Sequence, residues 1–274
     1  SVSSTAVGGM VGYLGLSSTL TSSVNLANVT STTDRAGGLV SYADGGSSIT
    51  NSYNIGNVIA NNATTGVGGL VGFAANANIS NSYSSGSVTA GTSTFLGGFV
   101  GQRTGGTFSN NFFDSNTAAQ TAAVGGGGSA TGITAGCFSG SGCSAGTANL
   151  SAMATYSGWN ITSSVSTTSI APTNAWFIFE GATRPMLMME YSTNISNARQ
   201  LQLAGSTLGA NYTLANNIDL SSSMTNAADV WGTNRGITGA GFVPIAKGTN
   251  FTGNFDGQHY SISNLYINGN GNNT

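Results

Sequence analysis

A six-residue phrase occurs four times in the first 102 residues: Gly8-Gly9-Met10-Val11-Gly12-Tyr13, Gly37-Gly38-Leu39-Val40-Ser41-Tyr42, Gly68-Gly69-Leu70-Val71-Gly72-Phe73 and Gly97-Gly98-Phe99-Val100-Gly101-Gln102. Its second glycines fall at 9, 38, 69 and 98, so the steps are 29, 31 and 29 residues. A unit that short cannot enclose a core of its own, and a fixed step marks a structure made by stacking one unit on the next.

About a dozen residues after each glycine phrase comes a second signature. It reads Ile49-Thr50-Asn51-Ser52-Tyr53, then Ile79-Ser80-Asn81-Ser82-Tyr83, then Phe108-Ser109-Asn110-Asn111-Phe112, with a weaker Leu20-Thr21-Ser22-Ser23-Val24 before them. Gly56 with Val58, and Gly86 with Val88, follow. Short β-rich alternation bounded by Gly, Asn and Ser reads as strand and turn. The expectation is an all-β chain folded as a right-handed parallel β-helix, with about three short strands per rung. Ile, Asn and Tyr share parity, so equivalent side chains are expected to stack as columns. These are a core column at Ile49, Ile79 and Phe108, an aromatic column at Tyr53, Tyr83 and Phe112, and an amide ladder at Asn51, Asn81 and Asn110. Gly38, Gly69 and Gly98 are expected at corners, where positive φ or close backbone approach excludes a Cβ.

Composition narrows the function. Only 5% of the 274 residues are charged, against about 25% in an ordinary soluble protein. Like charges stacked every rung repel, whereas Ser, Thr and Asn hydrogen-bond to their own copies. The six basic residues are scattered and the net charge is −2, which leaves no footprint for nucleic acid. No apolar run is long enough to span a bilayer, so membrane insertion is not expected. Cys137 and Cys143, six residues apart in a Gly/Ser loop, read as a small disulfide loop and an oxidising setting, with two inert thiols as the alternative. One histidine and two cysteines do not make a metal site, and no cofactor is expected. The eight acids form no D-x-D pair and do not recur in register, and Asp256 near His259 reads as a turn, so no enzyme is expected. Nine Asn-x-Ser/Thr acceptors occur, of which Asn78, beside Ile79, is a poor candidate for glycosylation.

The glycine repeats occupy 1–117. Residues 118–190 form a Gly/Ser/Ala-rich cysteine loop and an apolar spacer, with short helical turns such as Ser151–Tyr156, expected to start at a serine cap, and a buried strand near Trp176–Phe179. Residues 191–274 begin a second solenoid block, in which Ser196–Leu203 reads as a further short helix. Ile262-Ser263-Asn264-Leu265-Tyr266 restates the second signature. Asn264 stands close to the register that a following copy of Ser1 would continue, so one period of a tandem array is expected.

The Gly-Gly-Leu-Val-Gly and Ile-x-Asn-Ser-Tyr phrases resemble the GLUG repeats of large secreted bacterial adhesins. Gly158-Trp159, Trp176-Phe177-Ile178 and Glu180 to Pro185 are similar to the segment that closes such a block. Tyr212 to Leu214, Asn217 to Leu220, Gly241 to Ile245 and Phe251 to His259 are similar to the one that opens it. The resemblance implies a filamentous-haemagglutinin-like protein, extracellular or on the surface of a bacterium, and carries over no catalytic residue. Its implied partners are copies of itself, end to end or side by side, and surface glycans, host cells or neighbouring cells. A β-helical polysaccharide-active enzyme or a glycan-binding module is the alternative.

Overall fold

The computed structural model describes residues 6–268 except 33, 62–64, 93, 94, 139–142, 145 and 236–238. The chain divides into two compact units, residues 1–138 with 142–149, and 139–141 with 150–274.

In the first unit each repeat makes one coil. The second coil runs through strands Arg35–Gly37, Val40–Asp44, Ser48–Thr50, Tyr53–Asn54 and Val58–Ala60. The third runs through Val67–Gly68, Val71–Ala75, Asn78–Ser80, Tyr83–Ser84 and Val88–Ala90. Every strand pairs in parallel with its counterpart, for example Ile79 with Ile49 and Phe108, and Tyr83 with Tyr53 and Phe112. The chain is thus an all-β parallel solenoid, with five short strands per coil rather than three. The glycine phrase and the Asn-bearing phrase each hold a bend that divides the expected strand in two. Stacking also continues past residue 117, because Val124–Gly126, Ile133–Cys137 and Ala148–Asn149 extend two of the sheets.

The bend within the second signature is the asparagine. Asn51, Asn81 and Asn110 have φ of 47°, 50° and 53°, and Ser22 has 47° at the same place in the first coil. A short polar side chain tolerates this left-handed turn better than most residues with a Cβ. The asparagines therefore do not share a strand face with Ile and Tyr. They stand in line at an outer corner, with Asn110 Nδ2 at 3.5 Å from Asn81 Oδ1.

The buried ladder at this corner belongs to the following residue. Ser52, Ser82 and Asn111 are fully buried. Each accepts the backbone N–H of its counterpart in the preceding coil: Ser23 to Ser52 Oγ at 3.1 Å, Ser52 to Ser82 Oγ at 3.2 Å, Ser82 to Asn111 Oδ1 at 3.2 Å. The Ser52 and Ser82 hydroxyls in turn donate to the carbonyls of Thr50 and Ser80. The corner costs no buried amide.

The aromatic column forms as expected: Tyr53 and Tyr83 are buried and stack with centroids 4.8 Å apart and planes 9° from parallel, a contact worth about 1 kcal/mol beyond its burial. Phe112 continues the register. Behind it lies a second interior column, Asn25, Asn54, Ser84 and Phe113. Asn25 Nδ2 donates to Asn54 Oδ1 at 2.8 Å, Asn54 Nδ2 to the Gly69 carbonyl at 2.8 Å, and Ser84 Oγ to the Gly98 carbonyl at 2.6 Å.

This column explains the glycines. Gly38, Gly69 and Gly98 do not have positive φ. A Cβ on Gly38 or Gly69 would run into the next coil's glycine carbonyl and the Asn54 or Ser84 side chain, and one on Gly98 would enter the Phe113 ring. Close approach, not left-handed backbone, is the reason for glycine. Gly72 serves the same end, since a Cβ there would stand 2.6 Å from the Ser41 carbonyl and 2.9 Å from that of Ala36. Among the described residues, one core gathers around Leu39, Val40, Ile49, Leu70, Val71 and Ile79, and another around Ala36, Val58, Val67 and Val88.

The second unit uses the same stacking with longer turns. Asn194–Ile195, Asn211–Leu214 and Asn254–Asp256 form one parallel sheet, and Ile218–Asp219 pairs with Ile262–Ser263. Trp176–Phe177 is the buried strand expected in the spacer. The helix Ala198–Leu203 starts at Asn197, whose side chain accepts from the backbone of Arg199 and Gln200, as an N-cap does. The short turn Met153–Tyr156 is not capped by serine; the Glu180 carboxylate accepts the Met153 N–H instead.

Three substitutions separate the corner's two residues. Ser82→Ala leaves the buried Ser52 N–H without its acceptor and lowers stability by about 1–3 kcal/mol in urea denaturation. Asn81→Gly leaves stability nearly unchanged, whereas Asn81→Ala costs about 1 kcal/mol; equal losses would assign the side-chain amide the larger role.

Candidate interaction surface

The solenoid's outer faces follow from strand alternation. On the second strand of each coil, Val40 and Ala43 point inward, and Tyr13, Tyr42 and Phe73 stack outward with centroids 5.1 and 5.2 Å apart. Tyr13 is 58% exposed. The Arg35 guanidinium lies 4.9 Å from the Tyr42 ring and 5.6 Å from Phe73, within cation–π range. Tyr42 Oη donates to Asp44 Oδ2 at 3.1 Å, and the phenol's pKa is raised, by burial and then by that carboxylate. Arg35 Nε stands 3.7 Å from Asp34, which also accepts from Thr65 Oγ1. The result is an aromatic stripe, exposed at Tyr13 and half-buried at Tyr42 and Phe73, edged by one guanidinium and two carboxylates; Tyr and Arg are among the side chains enriched at binding hot spots. The next sheet exposes hydroxyls and amides, with Thr50 Oγ1 at 3.1 Å from Thr21 Oγ1 and the Asn78 side chain turned out to accept the Thr107 N–H. Asn78 is thus exposed although Ile79 beside it is core.

The carboxylates that could do chemistry are employed locally. Asp114 is buried and accepts the backbone N–H groups of Asn116, Thr117 and Phe138. Asp256 accepts both the backbone and side-chain amides of Gln258. Asp219 accepts from the Ser221 N–H and from Asn264 Nδ2, each at 2.8 Å, and the first of these chiefly holds its pKa below the usual value of 3.8. Among the described residues no three His, Cys, Asp or Glu converge as for a metal.

The second unit is organised by a buried polar network. Arg184 is fully buried and donates to the carbonyls of Ala227 and Asp229. Arg199 pairs with the Asp229 carboxylate and lies 3.8 Å from Glu190, whose other oxygen accepts the Leu187 N–H. Trp231 Nε1 and the Val243 N–H both donate to Gln202 Oε1, and Gln202 Nε2 donates to the Val243 carbonyl. Tyr212 Oη donates to the Thr207 carbonyl, and burial pushes its pKa up. The network fixes the segments behind the sheet that ends in Asn254–Asp256.

Of the residues singled out in the sequence, the structure stacks Tyr53, Tyr83 and Phe112, and brings Gly38, Gly69 and Gly98 into line. Asn51, Asn81 and Asn110 stack at the surface rather than inside, and Asn264 repeats their backbone, with φ of 56°, on the second unit. Cys137 and Cys143 are disulfide-bonded, with Cα atoms 5.7 Å apart. The aromatic stripe was missed, although its signal was present: an aromatic residue stands four positions after the second glycine in three coils.

Removal of one partner of the buried ion pair tests this account. Asp229→Ala takes from the buried Arg199 the carboxylate that pairs with it most closely, leaving Glu190, and costs about 3 kcal/mol in urea denaturation. For Asp219 the folded pKa is depressed, so its stabilisation is full above the ordinary value and is lost as pH falls through the lower folded one. Acid-side exchange of the Ser221 amide should therefore accelerate only in that window, and Asp219→Asn should abolish the pH dependence.

A family model for the GLUG motif matches residues 33–59 and 63–89. Each match covers one coil, the second and the third, from just before its first strand to its fifth. No curated protein and no solved structure matches the chain. The chain carries two GLUG motifs, and the stacking extends the same coil design to residues on either side of them.

Proposed function

We propose that the protein is a structural and adhesive module of a long extracellular filament or giant surface adhesin of a bacterium, and not an enzyme. The observation that carries this reading is the register. Five strand positions per coil each pair with their counterparts from coil to coil, so length is added without change of cross-section. The GLUG motifs and the disulfide support an extracytoplasmic setting. The charge-poor faces of hydroxyls, amides and aromatic rings suit contact with copies of the same module or with uncharged partners such as surface glycans. In this reading the stripe of Tyr13, Tyr42 and Phe73, with Arg35 beside it, is the adhesive contact of the first unit.

Beads coated with the whole chain are expected to adhere to bacterial or host cells, and Tyr42→Ser with Phe73→Ser is expected to cut retention at least severalfold while the protein stays folded. Release of new reducing ends from a polysaccharide by the purified chain would overturn the reading in favour of an enzyme.

A further inference from the structure

On the second unit a shallow, open cleft of about 520 Å³ lies against the sheet formed by Asn194–Ile195, Asn211–Leu214 and Asn254–Asp256. Asn194, Thr213, Leu214, Ala215, Gln258 and Tyr260 line it. Its floor follows from the register: Asn194 and Thr213 are cross-strand neighbours and both are exposed, and Asp256 follows Thr213 on the next strand, outside the lining. Thr213 Oγ1 stands 3.5 Å from Asn194 Oδ1.

One wall is a turn of unusual backbone. Gln258 and His259 are successive non-glycine residues at φ of 46° and 63°. Residues of this kind adopt that region at a cost and only where neighbours hold them. Here Asp256 Oδ1 accepts the Gln258 N–H at 2.9 Å, and the Gly257 carbonyl accepts that of Tyr260 at 2.7 Å. The turn sets the Gln258 amide and the Tyr260 ring, 45% exposed, beside the Asn194–Thr213 row.

The chemistry of this lining is selective. Among the described residues that line it there is no Lys or Arg, so they offer an anionic ligand no counter-charge. The Asp256 carboxylate is not among the lining residues and accepts from both amides of Gln258, so its part is to hold the turn. What remains is two amides and a hydroxyl, each able to donate and accept, with an aromatic ring that is apolar on its face and polar at its tip. Such a set recognises a neutral molecule with an array of hydroxyls on one side and C–H groups on another.

We propose that this cleft is a binding site for a neutral saccharide, with Tyr260 packing on a sugar face and Asn194, Thr213 and Gln258 bonding its hydroxyls. The proposal deepens the adhesive reading and rests on it for its biological setting, but the site lies on the second unit and has its own test. A site this open and this small binds a single sugar weakly, and its strength in a filament comes from repetition.

The whole 274-residue chain is titrated with methyl glycosides of glucose, galactose, mannose and N-acetylglucosamine, and with their oligomers, by saturation-transfer NMR and calorimetry. At least one is expected to bind in the millimolar range, with transfer to its C–H protons. Tyr260→Ala and Thr213→Val are each expected to weaken that binding about tenfold or more, while Ile170→Ser, at an exposed position outside the cleft, leaves it unchanged. Should Tyr260→Ala disturb the turn, seen as a changed thermal midpoint, Thr213→Val and Asn194→Ala carry the test. Absence of binding to every sugar overturns the site, as does binding that survives these variants. In either case adhesion of wild-type beads to cells would leave the adhesive reading standing, and its loss through the stripe variants alone would place adhesion elsewhere than in the cleft.

Discussion

The structure depends on the hydrogen bond that each coil offers the next. A coil of five strands, each two to five residues long, has almost no internal backbone pairing, so its N–H and C=O groups find partners above and below or not at all. Where strands run, the parallel ladders supply those partners. At the left-handed corner the ladder would fail, and the hydroxyl of Ser52 or Ser82 stands in for the missing carbonyl. Inside the coil, Asn54 and Ser84 act in the opposite sense and donate to the carbonyls of Gly69 and Gly98. The side chains that look like filler in the sequence are the ones that complete the backbone's bonding.

That demand also accounts for the composition. A side chain that meets its own copy at every coil must be able to bond to itself or pack on itself, which favours hydroxyls, amides and flat rings and disfavours charge. The charges that do occur in the interior are matched individually. In the first unit Asp114 meets backbone N–H groups; in the second, where the repeat is longer and less regular, Arg184 meets backbone carbonyls and Arg199 meets Asp229.

Much of the fold was legible because its logic is periodic. The glycine phrase, the Ile column and the Tyr column all announce themselves by spacing, and the structure stacks them. What the spacing misread was direction. Parity assigned Asn51 and Tyr53 to one face, but parity holds only along an extended strand, and φ of 47° at Asn51 breaks the strand at that residue. The glycines carried a similar ambiguity, because turn and close approach both exclude a Cβ, and only the position of Asn54 and Phe113 decides between them. The cleft on the second unit had no local signal. Asn194, Thr213 and Tyr260 are brought together by turns of unequal length, across sequence separations that no repeat predicts.

The glycine carbonyl that receives the Asn54 amide belongs to the next coil, and Gly38, in the same coil as Asn54, is glycine because that amide and that carbonyl need the room. Each coil therefore carries both halves of a joint whose other halves lie in its neighbours. Duplication of one such segment within a gene would create a new joint chemically identical to the old ones, with no fresh core to be found by mutation. Reach can thus evolve by copying, while the surface loops and outward rings of individual coils remain at liberty to diverge.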